Sequence, residues 1–172
     1  MASLVEDLLD VMQRETENYQ KLYTLAEQKR QGIIHRDLEK IEQTSSEENE
    51  ISSELKNLES KRVRVLKDMS VVLGKDNDDK ILTVTEVILL LNKQKAEQEA
   101  LTKARDSLVK AATQMQFLNE QNQILLEQAM EMVEFDLTLF KSMRQAPETA
   151  NYDRNAYNTG DILPSGGFDA KQ

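Results

Sequence analysis

Hydrophobic residues recur every three or four positions along most of the first 146 residues, the spacing of one face of an α-helix. This stretch contains no proline, and its glycines, Gly32 and Gly74, fall where the apolar pattern pauses. Proline and glycine are the residues that a helix interior tolerates least. The pattern therefore predicts a few very long helices that are separated near these two glycines.

Capping signals refine the boundaries of these helices. Ser3 with Glu6, and Thr83 with Glu86, have the spacing of capping boxes, and Asp37 is a suitable N-cap for the second helix. The short connection before Asp37 predicts that the first two helices are antiparallel neighbours. Whether the third helix breaks near Asn92 or continues into the last one stays open. The predicted helices span about residues 3–31, 37–73, 83–91 and 94–145.

The last helix carries a sustained seven-residue repeat, the pattern of a helix that packs along its length against others. Asn122 falls on the same line, where a buried asparagine fixes the register of neighbouring helices or reaches a buried polar partner. The repeat consists of Leu101, Ala104, Leu108, Ala111, Met115, Leu118, Leu125, Met132 and Leu139.

The end of this helix is apolar over more than one face, which indicates neighbours on both sides or one that is missing. At 1.5 Å per residue the first helix spans ~42 Å and the last ~75 Å, so the first cannot cover all of the last. The centre of a helical core and a binding surface rich in adaptable methionines both fit this region. The predicted binding surface consists of Leu125, Leu126, Ala129, Met130, Met132, Val133, Phe135, Leu137, Leu139, Phe140 and Met143.

Composition and charge narrow the function. The 172 residues carry a net charge of −9 and a pI of about 4.8, which argues against nucleic acid or an anionic membrane as the main partner. No cysteine is present, the N-terminus lacks a basic region typical of signal peptides, and the longest apolar run, 87–91, is too short to span a bilayer. We expect a cytoplasmic protein without stable membrane insertion.

The sequence predicts no enzyme, no cofactor and no metal site. Its single histidine, His35, lies in the predicted hairpin connection, so a di-metal bundle with Glu-x-x-His on two helices is excluded. Phosphate-binding glycine loops are absent, and the acidic run 76–79 lacks the glycine and glutamate of an EF-hand. The basic cluster 61–64 is interpreted as a surface patch.

The composition changes after residue 145. Both prolines and three of the five glycines fall in residues 146–172, beside polar residues. This composition predicts a disordered tail that follows a single helical domain over residues 1–145. Tyr152 and Tyr157 stand out as aromatic residues within this polar segment.

Several segments together resemble the FlgN-type flagellar export chaperones. They are residues 29–41 (KRQGIIHRDLEKI) and 61–66 (KRVRVL), the Asn-x-x-Asn-x-x-Leu-Leu stretch at 119–126, Phe135-Asp136-Leu137, and 151–155 (NYDRN). The resemblance covers about residues 1–155. It implies a bacterial cytoplasmic chaperone that binds the terminal helical segments of the hook–filament junction proteins FlgK and FlgL and hands them to the membrane export gate.

On this resemblance, the apolar surface at the end of the last helix is the expected cargo site. Tyr152 and Tyr157 are the expected contacts with the export gate, since an aromatic residue in a flexible polar segment is a typical short-motif anchor. The predicted fold is all-α: an elongated antiparallel bundle or coiled coil of three long helices plus one short helix. The alternative function is a homodimeric coiled-coil tether or scaffold, and the sequence leaves homo-oligomerisation open.

Overall fold

The computed structural model describes residues 2–75 and 81–145, and within these residues all regular secondary structure is α-helical. The helices are α1 (Ala2–His35), α2 (Leu38–Val72), α3 (Val84–Leu90) and α4 (Lys95–Gln145). The predicted fold class, three long helices plus one short helix, is confirmed. The predicted tail, residues 146–172, lies outside the described residues. The chain divides into two compact units, Met1–Met132 and Val133–Gln172, so α4 runs from the first unit into the second.

A tight hairpin joins α1 to α2. Arg36 adopts a left-handed conformation with φ 56°, and the Asp37 side chain accepts a hydrogen bond from the Lys40 backbone N–H at 3.1 Å, so Asp37 caps α2 as predicted. The predicted end of the first helix at about residue 31 is wrong, because α1 continues through Gly32 to His35. Gly32 serves close packing instead: a Cβ atom there would lie 3.1 Å from Ile41 Cγ1 of α2.

The two predicted capping boxes have different outcomes. At Thr83 both reciprocal hydrogen bonds with Glu86 are present, so the capping box that starts α3 is confirmed. Ser3 is not an N-cap, since α1 already includes Ala2. The chain turns between α3 and α4, where the Gln94 N–H donates to the Leu91 carbonyl at 2.9 Å, which answers the question left open near Asn92.

The core of the first unit lies where all four helices meet. Its buried residues come from the start of α1, the end of α2, the second half of α3 with the residue that follows it, and the start of α4. Gln98 of α4 ties this end together, because its amide donates to the Ile88 carbonyl of α3 at 2.9 Å. The cluster consists of Val5, Leu8, Met12, Val65, Leu66, Met69, Val87, Ile88, Leu91 and Leu101.

From this core, α4 runs along α1 in the same direction. Leu101 belongs to the core cluster with Leu8, and 21 residues later the Asn122 side chain bonds to Ala26, 18 residues after Leu8. Since α2 returns antiparallel to α1, α4 also runs antiparallel to α2. Burial of Ala111 and Leu118 confirms that this part of the seven-residue repeat faces the bundle.

Candidate functional site

The predicted binding surface begins in the first unit, where the side chains of the seven-residue repeat of α4 become more exposed. After Asn122 none of the α4 side chains in this unit is fully buried. Leu125 and Ala129 are half-buried, whereas Leu126, Met130 and Met132 are exposed. Met132 continues the repeat of Leu118 and Leu125, yet its side chain faces water. Within residues 2–75 and 81–132, the repeat therefore extends further along α4 than the helices that cover it.

In the second unit, every described residue of α4 is exposed. The predicted binding residues of this unit are 47 to 67% exposed, which is unusual for large apolar side chains. These residues are Val133, Phe135, Leu137, Leu139, Phe140 and Met143. The exposure of these α4 side chains does not support the interpretation of this region as the centre of a folded core. Tyr152 and Tyr157, the predicted export-gate contacts, lie outside the described residues.

A groove in the first unit, which the sequence did not reveal, lies between α2 and α4 above α1. We call it the α2–α4 groove; its volume is about 640 Å³. All four helices contribute residues to its lining. The floor consists of Met12, Glu15, Tyr19 and Leu22 of α1; the walls include Ser52, Leu55, Lys56, Glu59 and Arg62 of α2, and Arg105, Leu108, Val109, Ala112 and Met115 of α4. Val84 and Thr85 of α3 also line it.

A buried ion pair lies in this groove. Glu15 is only 3% exposed, and its Oε1 accepts a hydrogen bond from Arg62 Nε at 3.1 Å. Oε2 also lies 3.1 Å from Arg62 Nε but accepts no hydrogen bond from the described residues. Burial raises the pKa of the Glu15 carboxyl, Arg62 opposes the rise, and Glu59 adds to it. Burial likewise raises the pKa of the neighbouring Tyr19, helped by the negative charges of Glu15 and Glu59.

For Arg62, the interpretation of residues 61–64 as a surface patch is wrong, since this side chain reaches across to α1. A signal for the pair exists in the sequence: Glu15 follows Leu8 and Met12 at helical spacing, so a charge interrupts the apolar line. Its neighbour Lys61 behaves as expected of a surface residue, with a 3.8 Å contact to Asp10 between two exposed side chains.

Asn122 confirms its predicted place in the seam between helices. It is buried, and its Nδ2 donates to the Ala26 backbone carbonyl of α1 at 2.7 Å. Such a bond joins α1 and α4 at one register, because a shift by one residue would leave the buried amide without this acceptor. One position earlier, Gln121 accepts from Arg30 of α1 at 3.4 Å, which extends the polar link to the edge of the seam.

Within residues 2–75 and 81–145, none of the helices combines the length and apolarity that a bilayer crossing requires. In the same residues, no group of three or more acidic, histidine or cysteine side chains is placed to hold a metal ion. The geometry is all-helical: a packed hairpin, a third long helix with uncovered apolar side chains, and a groove beside it.

The chain belongs to the FlgN protein family, whose model matches residues 1–160. It is thus a FlgN-type flagellar export chaperone, and the family is a chaperone family that is not known for enzymatic activity. No curated protein and no solved structure matches the chain significantly.

Proposed function

We propose that this chaperone acts in the bacterial cytoplasm and binds the terminal helical segments of the hook–filament junction proteins FlgK and FlgL. Binding keeps these proteins from assembling prematurely, and the chaperone then delivers them to the flagellar type III export gate. The observation that carries the proposal is the run of uncovered apolar side chains on α4 of a FlgN-family protein. An amphipathic cargo helix needs an apolar surface of this kind.

The proposed cargo contacts are the apolar residues of α4 that the sequence predicts, those from Leu125 to Met132 in the first unit and those from Val133 to Met143 in the second; all of them except the half-buried Leu125 and Ala129 are exposed. Three methionines are exposed among them: Met130, Met132 and Met143. Their unbranched thioether side chains repack easily, which suits a surface that must accept two different cargo proteins. Tyr152 and Tyr157 are the proposed contacts with the export gate, on the argument that aromatic residues anchor short motifs.

The same exposed side chains support a second candidate function, a homodimeric coiled-coil tether. In that case a second copy covers α4, and the apolar residues form a permanent interface rather than a cargo site. The two functions differ in what the purified protein binds at micromolar concentration.

Calorimetric titration of the full-length protein with terminal segments of FlgK and FlgL tests the proposal. We expect saturable one-to-one binding that Met132→Asp or Phe140→Asp abolishes while helical circular dichroism is retained. Gln123→Asp is the matched control, because it introduces the same charge at an exposed position of α4 that lies two and a half turns before Met132, on the opposite side of the helix. The absence of heat with either segment, together with a tight homodimer in sedimentation, would favour the tether.

A further inference from the structure

We propose that residues 161–169 of the chaperone's own tail lie on the apolar end of α4 when no cargo is bound, and that cargo has to displace them. The inference rests on the proposed function, because the tail and the cargo compete for the same side chains. It concerns the second unit, Val133–Gln172, which contains both the end of α4 and the tail. Residues 146–172 lie outside the described residues, and their sequence carries the chemical complement to this end of α4.

The patch that receives the tail is formed by Leu139, Phe140 and Met143 in the last two turns of α4. Their spacings of three and four residues place them on one side of the helix. Leu139 is 48% exposed, Phe140 66% and Met143 65%, so the described residues leave large parts of all three side chains in water. Removal of apolar surface from water is favourable, and a segment with apolar side chains therefore gains free energy by lying on this patch.

Residues 161–169 (DILPSGGFD) match the patch in both apolar content and charge. This segment has three large apolar side chains between two aspartates and contains no basic residue. The end of α4, residues 139–145 (LFKSMRQ), has two basic side chains and no acidic one. Lys141 and Arg144 form no ion pair with another described residue, so the aspartates of the tail complement them. The apolar side chains of the segment are Ile162, Leu163 and Phe168.

The tail is long enough to reverse direction and reach the patch. Ile162 follows Gln145, the last residue of α4, by 17 residues, which extend to at most about 60 Å. Leu139 lies six residues before Gln145, which is about 9 Å along the helix axis. A short tether holds the segment near the patch at an effective concentration in the millimolar range, so that even a weak contact is populated.

Seating of the tail weakens cargo binding, because cargo binds only those molecules whose patch is free. The apparent dissociation constant is the intrinsic one divided by the free fraction. If the tail covers between half and nine-tenths of the molecules, its removal tightens cargo binding about two- to tenfold. The tail also covers an apolar surface that would otherwise promote association between cargo-free copies.

Photocrosslinking of the full-length, cargo-free chaperone tests whether the tail occupies the patch. A benzophenone side chain at Phe140 should crosslink to residues 161–169 of the same molecule. The yield should fall about fivefold with Leu163→Asp, because a charge is costly to bury on an apolar surface. Ser165→Asp adds the same charge without removing an apolar side chain and should leave the yield unchanged. Thr138 is the control position for the benzophenone, since it is exposed and lies about 200° around α4 from Phe140.

Calorimetry with the terminal segments of FlgK and FlgL tests the competition. Leu163→Asp should bind these segments about two- to tenfold more tightly than the wild-type chaperone, whereas Ser165→Asp should match the wild type. Equal affinities in all three proteins would refute the competition. Weaker binding by Leu163→Asp would also refute it, because the tail would then contribute to the cargo site.

The crosslinks without cargo separate this inference from the proposed function. A Phe140 benzophenone that reacts with a second copy, or that reacts with the tail no more often than one at Thr138, would refute the seating of the tail. Failure of the wild-type chaperone to bind any segment would overturn the proposed function. The crosslinks of the cargo-free protein would still decide whether the tail covers α4.

Discussion

The ion pair between Glu15 and Arg62 gives the sharpest test of the packing in the α2–α4 groove. Replacing Arg62 with methionine keeps most of the apolar stem that packs in the groove but removes the only cation within 4 Å of Glu15 among the described residues. Glu15 is almost fully buried on α1 and cannot move to water while α1 stays folded. The substitution therefore leaves a buried carboxylate without its counter-charge, which is destabilising.

The proton equilibrium of Glu15 limits the size of this effect. An unpaired carboxyl can bind a proton instead of staying ionised, at a cost of about 1.4 kcal/mol for each pH unit above its ordinary pKa. With the ordinary pKa of 4.5, the limit at pH 7 is about 3.4 kcal/mol. Because the Arg62 side chain is 27% exposed, water can approach the vacated position. We expect a loss of about 2 kcal/mol in the free energy of unfolding at pH 7.

The pH dependence of the loss has a definite sign. Burial raises the folded-state pKa of Glu15, and removal of Arg62 raises it further. A carboxyl with a raised folded-state pKa loses its contribution to stability as the pH rises through that value. The difference between the wild-type protein and Arg62→Met should therefore shrink as the pH falls from 7 towards 4.5. At pH 5 the limit is about 0.7 kcal/mol.

Urea unfolding followed by circular dichroism at pH 7 and pH 5 measures both quantities. Lys61→Met is the matched control: it removes the same charge from the adjacent position of α2, where the partner Asp10 is 59% exposed. Exposed pairs contribute about 0–1 kcal/mol, so this variant should change little at either pH. Equal losses in the two variants, or a loss in Arg62→Met that does not depend on pH, would refute the buried ion pair.

Two further predictions concern the core and a helix cap. Met69→Ala should lower the free energy of unfolding by about 2–5 kcal/mol, because Met69 is completely buried where the four helices meet. Urea unfolding measures this loss, and Met132→Ala, at an exposed position of α4, is the control that should change the stability little. Thr83→Ala should lower the free energy of unfolding by about 1 kcal/mol, because it removes the capping box of α3. Thr83→Ser keeps the hydroxyl and should retain most of this stability. Amide hydrogen exchange in α3 should therefore be faster in Thr83→Ala only. Equal exchange of α3 in the two Thr83 variants would contradict the cap.

Much of the fold could be predicted because the strongest signals act locally. The Thr83 and Glu86 side chains lie within one turn of helix, and the seven-residue repeat of α4 marks the side that faces α1 up to Leu118. The sequence alone misplaces the helix end at Gly32, because an isolated glycine gives the same signal in a loop and in a helix. Only the close approach of Ile41 shows that it is a packing residue.

The groove and its ion pair could not be predicted because they depend on distances between helices. Periodicity identifies which side of α2 is apolar, but not how far α2 stands from α4 when both pack on α1. Glu15 and Asn18 are buried among the apolar residues of α1. A polar residue at such a position predicts that a polar partner is nearby, but the sequence does not identify the partner. Arg62 is 47 residues away in sequence, so its identity as that partner appears only in three dimensions.

The distance along α4 between the core cluster and the proposed cargo site decides how mutations in the first unit can be interpreted. Leu101 lies in the core cluster, and Met132, where the side chain is exposed, is 31 residues further along the same helix. That distance is about 46 Å, far beyond the 7–10 Å over which substitutions couple energetically through contact. A charge at Met132 should therefore leave the core intact. Loss of cargo binding in such a variant would then report on the surface of α4 itself and not on the stability of the bundle.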